Sequence, residues 1–218
     1  MYAGQCYHVL NRANQKAQVF HCPADYDAFL RLMSKAQEQV ELPVLAACLM
    51  PNHIHLVVKP RNNKDVTRWM HWLFTTHSRH YNDKHERVGH VWQGRFKASM
   101  AQCDQHLLTV VRYVERNALR ANMVSSADEW RWGSLNWRES PRPPIELADM
   151  PIALPSWWRE FVNQPQTATE LAELRESVNR QRPFGDPDWV LERASEAELT
   201  QSLTRPGRPR KPRSGTVS

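Results

Sequence analysis

Residues Met50–Pro60 read MPNHIHLVVKP, which places two histidines one residue apart in an apolar run. Side chains alternate between the two faces of a β-strand, so His53 and His55 share one face while Ile54 and Leu56 share the other. An apolar strand that turns two imidazoles to one side is unusual for a plain hydrophobic core. The paired histidines are therefore the first candidate for a functional site.

The segments around this strand alternate between strand and helix patterns. A turn signal, Pro51-Asn52, joins PVLAACLM to HIHLVVK and predicts a β-hairpin. Before it, QCYHVLNRA predicts a strand and PADYDAFLRLMSKAQEQV a helix that starts near Pro23. After it, KDVTRWMHWLFTTHSRHYNDKH predicts a helix and GHVWQGRFKASMAQ a strand with bends at Gly89 and Gly94. The segment DQHLLTVVRYVERNALRANMV predicts a last helix capped by Asp104. This β-α-β-β-α-β-α order predicts a ferredoxin-like α+β fold with an antiparallel sheet.

Three regions follow from these patterns and from composition. Residues 1–135 are expected to form the main domain, and residues 136–203 a Pro-rich linker with a helical extension. Residues 204–218 are expected to be a disordered basic tail, because Pro, Gly, Arg and Ser dominate and offer nothing to bury.

Composition and charge restrict the class of protein. The 218 residues are 41% hydrophobic and include nine tryptophans, enough for a genuine core. We find neither a long apolar run nor a signal-peptide pattern and expect a cytoplasmic protein. The net charge is +6, and residues 61–120 hold eleven Lys and Arg against five Asp and Glu. This concentration of positive charge favours a polyanionic partner.

The paired histidines can bind one divalent metal ion, because histidine is the commonest metal ligand and both rings face one way. The alternative is a hydrogen-bonded pair of histidines beneath a helix. In RYVERN, Tyr113 and Asn117 lie four residues apart and share a helix face. They could bring a nucleophile and an oxygen ligand to a metal-bound phosphate, or they could be ordinary residues at the edge of an amphipathic helix.

Four ordered stretches carry a more specific signal: YHVLNRANQ, LMPNHIHLVV, GHVWQGRFK and RYVERNALRANMV. They resemble the REP-associated tyrosine transposases, which are single-tyrosine HUH (histidine-hydrophobe-histidine) transposases. The resemblance spans about residues 5–135, and the segment from RPFGDPDWV to RPGRPRK resembles their C-terminal ending. It implies a ferredoxin-like HUH domain that cleaves and rejoins single-stranded DNA at palindromes that fold into hairpins, in the cytoplasm and associated with the nucleoid.

The resemblance also implies roles for individual residues. His53 and His55 would be metal ligands, Tyr113 the nucleophile, and Asn117 the third ligand, where relatives more often have Gln. Attack by Tyr113 would leave a 5′-phosphotyrosine and a free 3′-OH. Hard oxygen chemistry favours Mg²⁺ or Mn²⁺, although two imidazoles also tolerate Zn²⁺. We expect Arg112 and Arg116 to help supply a positive field that favours the phenolate.

The candidate DNA contacts combine basic and aromatic residues. Trp92 and Phe96 could stack on unpaired bases, with core packing as the alternative. The tail RPGRPRKPR resembles an AT-hook that lies in a minor groove, or is simply a basic segment that contacts phosphates. The complete set is Arg61, Arg68, Arg79, Arg87, Trp92, Arg95, Phe96, Lys97, Arg112, Arg116, Arg120, Arg205, Arg208, Arg210 and Lys211.

Other functions remain open at this level. A palindrome-binding protein that has lost turnover would keep the same DNA contacts. A metal-dependent phosphodiesterase for small substrates would leave the basic regions unexplained. We expect a monomer, because the C-terminal extension could cover the sheet edge or helix that a dimer would use.

Overall fold

The computed structural model describes residues 1–197 and 199–203. The main domain has the expected order of elements: β1 (Cys6–Arg12), α1 (Pro23–Gln39), β2 (Val44–Met50), β3 (His53–Val58), α2 (Asp65–Lys84), β4 (Lys97–Ala101) and α3 (Gln105–Glu115). The helices that follow are α4 (Asn117–Arg120), α5 (Ser134–Arg138), α6 (Trp158–Asn163), α7 (Ala168–Arg180), α8 (Pro187–Glu196) and α9 (Thr200–Leu203). Within the described residues, no helix combines the length and apolar character needed to cross a membrane.

The four strands form one antiparallel sheet in the order β2-β3-β1-β4, which confirms the ferredoxin-like prediction. The two central strands, β3 and β1, are flanked by β2 and β4. His55 lies opposite Leu10 on one side and Cys48 on the other, so it occupies the middle of the sheet. His53 lies opposite Arg12, near the end of the sheet.

The two sheet faces have different coverings. The rings of His8 and His55 contact Tyr113 of α3, so α3 lies on the face that carries the paired histidines. On the opposite face, α1 and α2 pack side by side. Asn11 of β1 points to this face, because it lines the same groove as Phe74 of α2. The alternation of side chains along β1 and β3 thus separates the paired histidines from the larger aromatic core.

Two predicted boundaries differ from the structure. The predicted strand from Gly89 begins only at Lys97, because Gly89 (φ 101°) and Gly94 (φ 47°) adopt left-handed backbone angles that interrupt an extended chain. The predicted last helix is divided into α3 and α4 at Arg116, whose φ and ψ are −81° and 0°. The cap at Asp104 is confirmed, since its side chain accepts a hydrogen bond from the His106 backbone N–H.

The chain that follows α4 covers both outer strands of the sheet. On β2, the Leu49 N–H donates to the Trp132 carbonyl, and the Val44 carbonyl accepts from the Ala148 N–H. On β4, the Met100 carbonyl accepts from the Phe184 N–H. Outer strands otherwise present unpaired backbone groups that invite another strand, so these contacts close the sheet on both sides.

A buried carboxylate fastens the extension to α3. Glu115 is 1% exposed and accepts hydrogen bonds from Ser134 Oγ (2.7 Å), Arg138 Nε (2.8 Å) and Trp158 Nε1 (2.7 Å). A buried charge is tolerated only when it is paired and hydrogen-bonded, and three donors meet that need here. The extension therefore packs against the same core as the main domain.

Candidate active site

Three of the residues that the sequence singled out meet in one cluster. The ring centroids of His53 and His55 are 5.0 Å apart, and those of His55 and Tyr113 are 5.8 Å apart. Strand alternation turns both imidazoles to the face that α3 covers, and α3 presents Tyr113 to them. His55 is 3% exposed and Tyr113 5% exposed, so the cluster is largely withdrawn from solvent.

Each paired histidine uses its Nδ1 atom in a hydrogen bond. His53 Nδ1 donates to Asn52 Oδ1 at 2.6 Å, and His55 Nδ1 lies 2.8 Å from Nε2 of His8. Within the described residues, the Nε2 atoms of His53 and His55 make no hydrogen bond. A metal-binding histidine typically holds its other nitrogen in such a bond, so both rings fit the role of metal ligands.

Burial also favours the neutral rings that metal binding requires. Desolvation, assisted by the nearby charges of Arg12 and Arg120, lowers the pKa of His53 to about 4. Desolvation is also the main reason why the pKa of His55 lies well below its usual value, and the neighbouring His8 and His53 lower it further. Both imidazoles are therefore neutral at neutral pH.

Asn117, the predicted third ligand, is engaged by another residue. Its Oδ1 atom accepts a hydrogen bond from Arg120 Nη2 at 2.9 Å, while its Nδ2 atom is buried and has no partner among the described residues. A buried donor without a partner costs about 1–3 kcal/mol and suits an acceptor such as a phosphate oxygen. Asn117 as a metal ligand remains a prediction, because its oxygen would first have to leave Arg120.

Arg120 is a cation that contacts the tyrosine ring, a contact that the sequence pattern did not predict. Its Cζ atom lies 4.1 Å from the centroid of the Tyr113 ring. Arg112 instead donates to the Phe161 and Gln164 carbonyls at 2.9 and 2.8 Å, and Arg116 donates to the Gln164 carbonyl at 2.9 Å. Arg112 and Arg116 therefore bind the C-terminal extension, which the sequence pattern could not show.

Trp92 packs in the core, which favours the second of its two sequence interpretations. It is 5% exposed, contacts Phe74 at a centroid distance of 4.6 Å, and donates from Nε1 to His77 Nδ1 at 3.2 Å. This burial favours core packing over stacking on a nucleobase. Phe96 is half-buried and lines an apolar groove of about 560 Å³ between α2 and residues 90–96.

The remaining basic candidates differ in position. Arg61 lies just beyond the C-terminal end of β3, whereas His53 lies at its N-terminal end. Arg61 also pairs with Glu41. Both observations argue against a DNA contact of Arg61 near the tyrosine. The backbone N–H of Gln93 donates to the Arg12 carbonyl, so the loop that contains Arg95 lies at the same end of the sheet as His53. The exposed candidates are Arg61, Arg68, Arg79, Arg87, Arg95 and Lys97. The tail candidates Arg205, Arg208, Arg210 and Lys211 lie outside the described residues.

A second group of ligand-type side chains lies at the other end of α3. Asp104, His106 and Asp186 place one ligand atom each within 4.8 Å of the others. Asp104 caps α3 and accepts from His106 Nδ1, while Asp186 bonds to Gln102. Helix capping and docking of the extension account for these side chains. Along α3, Asp104 and His106 precede Tyr113 by about 2.5 and about 2 helical turns.

Comparisons with known proteins agree with this geometry. Residues 2–117 match the family model described as "Transposase IS200 like". A Haemophilus influenzae protein, provisionally named a REP-associated tyrosine transposase, is 24% identical over 109 residues. That match covers 45% of this chain and 62% of the relative.

A solved structure supports the same fold. It is the structure of a REP-associated tyrosine transposase bound to a REP hairpin. The two folds agree with a TM-score of 0.54 at 14% identity, over 69% of this chain and 90% of that chain. The resemblance seen in the four sequence stretches is thus confirmed. Because the matched family model spans more than half of the residues, this chain belongs to the IS200-like transposase family.

Proposed function

We propose that this protein cleaves and rejoins single-stranded DNA beside REP-type palindromic hairpins through a 5′-phosphotyrosine on Tyr113. The observation that carries the proposal is the cluster in which His55 contacts both His53 and Tyr113. A nucleophilic tyrosine and a pair of neutral imidazoles are the parts that metal-assisted phosphodiester cleavage needs. Membership of a transposase family makes DNA the expected substrate.

In the proposed reaction, Tyr113 Oη forms a bond to phosphorus while the bond from phosphorus to the 3′ oxygen breaks. The phenol loses its proton, and the departing oxygen becomes a free 3′-OH. Another 3′-OH can then attack the phosphotyrosine and restore a phosphodiester, so no outside energy source is needed. Arg120, stacked on the tyrosine ring, stabilises the negative charge that develops on the phenol oxygen.

The residues fit a divalent metal, which we expect to be Mg²⁺ or Mn²⁺. When bound by His53 and His55, it would supply neutralisation of the scissile phosphate and stabilisation of the leaving oxygen. We expect the buried Asn117 Nδ2, which has no partner among the described residues, to donate to a phosphate oxygen. Asn117 thereby has a use in the site whether or not its oxygen also serves as a ligand.

We expect the DNA strand to approach at the end of the sheet where His53 lies. The loop of residues 87–96 is joined to β1 there, and it carries the exposed Arg87 and Arg95. We also expect phosphate contacts from Arg68 and Arg79 on the exposed side of α2. We further propose that the protein acts as a monomer in the cytoplasm on nucleoid DNA, and that its basic tail makes an additional DNA contact.

A covalent-trapping experiment tests the proposal. The protein is incubated with end-labelled hairpin oligonucleotides that carry single-stranded flanks, in Mg²⁺ or Mn²⁺, and resolved on a denaturing gel. We expect a DNA-linked protein band that disappears in Tyr113→Phe and after addition of EDTA. Tyr26→Phe is the matched control, since Tyr26 is also buried but stacks on Trp132 and not on the histidines.

The same experiment separates the alternative function. Specific hairpin binding without a covalent band in any divalent metal would indicate a palindrome-binding protein that lacks turnover. A band that persists in Tyr113→Phe would place the nucleophile elsewhere and contradict the proposed chemistry.

A further inference from the structure

His8, a residue that the sequence patterns did not single out, contacts both parts of the candidate active site. Its Nε2 atom lies 2.8 Å from His55 Nδ1, and the two rings stack with centroids 5.0 Å apart and planes at 26°. Its ring also meets the Tyr113 ring edge-on at 5.7 Å. His8 is 2% exposed, so water does not compete for this hydrogen bond.

The register of the sheet explains why the two histidines meet. His55 of β3 lies opposite Leu10 of β1, and His8 lies two residues along the same strand, opposite Val57. Residues two apart on a strand share a face, and diagonal neighbours on adjacent strands are within reach of long or aromatic side chains. The contact is therefore fixed by rigid backbone on both sides.

The hydrogen bond between the two rings has chemical consequences for His55. Only one hydrogen can lie between His8 Nε2 and His55 Nδ1. If His8 donates it, the remaining hydrogen of a neutral His55 sits on Nε2 and blocks that atom as a ligand. If His55 donates it, the Nε2 lone pair is free. Metal-binding histidines typically donate their second N–H in this way, which also fixes the direction of the ring.

We propose that His8 is a positioning residue: it accepts the Nδ1–H of His55 and so holds the His55 Nε2 lone pair toward a divalent cation. This proposal rests on the metal role of His55 in the proposed function. Asn52 plays the same part for His53, because its Oδ1 atom accepts the hydrogen bond from His53 Nδ1–H. Both candidate ligands thus have a partner that selects the same tautomer.

The tautomer of His55 can be measured in the wild-type protein without any substitution. Long-range ¹H–¹⁵N correlation NMR of the metal-free protein distinguishes a protonated Nδ1 from a protonated Nε2. We expect His55 to carry its hydrogen on Nδ1, and His8 to have an unprotonated Nε2. A hydrogen on His55 Nε2 would overturn the proposal.

Two variants test the consequence for metal binding. His8→Phe keeps a ring of similar size but removes the acceptor, whereas His8→Gln keeps a polar atom near the position of Nε2. Titration with Co²⁺, followed by its visible absorption, should show affinity about 10–100-fold weaker in His8→Phe. His8→Gln should recover most of that loss. If His8→Phe binds Co²⁺ as tightly as the wild type does, the proposal is wrong.

A merely structural role for His8 would give a different pattern. In that case thermal stability would fall in His8→Gln more than in His8→Phe, and Co²⁺ affinity would follow stability. If the wild type itself failed to bind Co²⁺ or Mn²⁺, the metal role in the proposed function would fail. The NMR measurement would still decide whether His8 accepts from His55.

Discussion

The two faces of the sheet are built from the same strands but bury very different groups. Toward α1 and α2, the interior is filled by aromatic rings such as Phe29, Phe74 and Trp92. Toward α3, the strands bury His8 and His55 against Tyr113. Polar groups are costly to bury, so a fold that only needed stability would gain from apolar side chains on both faces. The contrast supports the α3 face as the site of the proposed chemistry.

The largest expected effects are a loss of stability from a substitution on the aromatic face and a loss of activity from a substitution on the α3 face. Trp92→Ala should lower the free energy of unfolding by about 3–5 kcal/mol, because it empties a large site in the aromatic core. It should still form the covalent DNA band at a temperature where it remains folded. Tyr113→Phe should abolish the band while changing unfolding, followed by urea denaturation, by less than about 1 kcal/mol. A folded Trp92→Ala protein without the band would show that the aromatic face also contributes to the reaction.

The next largest effect is expected from Glu115, which attaches the extension to α3. Glu115→Gln keeps the shape of the buried side chain but removes the charge that Arg138 and Trp158 bind. We expect a loss of about 1.5–3 kcal/mol in unfolding free energy, the usual contribution of a hydrogen bond to a charged group. Glu173→Gln, on the exposed side of α7, is the control and should be neutral. Equal stability of both variants would show that Glu115 does not hold the extension.

Acid should lower the free energy of unfolding because His77, in the aromatic core, is buried in its neutral form. Desolvation lowers the pKa of His77 to about 4, whereas an unfolded histidine titrates near 6.5. Between these values the unfolded chain binds more protons, so stability is fully present above pH 6.5 and falls as the pH drops toward 4. The slope from this residue is at most about 1.4 kcal/mol per pH unit.

A variant isolates this contribution. His77→Asn keeps an acceptor for Trp92 Nε1 but cannot titrate. Urea denaturation at several pH values between 7 and 4.5 should show a shallower decline in His77→Asn than in the wild type. Identical slopes would mean that other groups account for the acid sensitivity.

The smallest expected effect concerns the approach of DNA. Arg95→Gln should weaken hairpin binding modestly and reduce the slope of log affinity against log salt by about 1, as expected for one lost phosphate contact. Arg61→Gln should leave the slope unchanged, because Arg61 lies at the other end of β3 and pairs with Glu41. Fluorescence anisotropy at several salt concentrations measures both. An effect of Arg61→Gln equal to that of Arg95→Gln would contradict the proposed strand path.

Sequence periodicity predicted what depends on local pattern and missed what depends on long-range packing. The order of strands and helices, the hairpin at Pro51-Asn52 and the cap at Asp104 follow from side-chain spacing and turn chemistry, and the structure confirms them. The contact of His8 with His55 required the register between β1 and β3, which no local pattern contains. The hydrogen bonds of Arg112 likewise required knowing where residues 161–165 dock.

The closed sides of the sheet limit how copies of this protein can associate. With β2 covered near Trp132 and Ala148, and β4 covered near Phe184, a second copy finds no exposed strand at these positions on which to extend the ladder. At these positions, pairing with a strand of another copy is blocked. Conversely, a truncation after residue 130 would uncover β2, and such a fragment should precipitate or form ribbons at concentrations where the full chain stays dispersed.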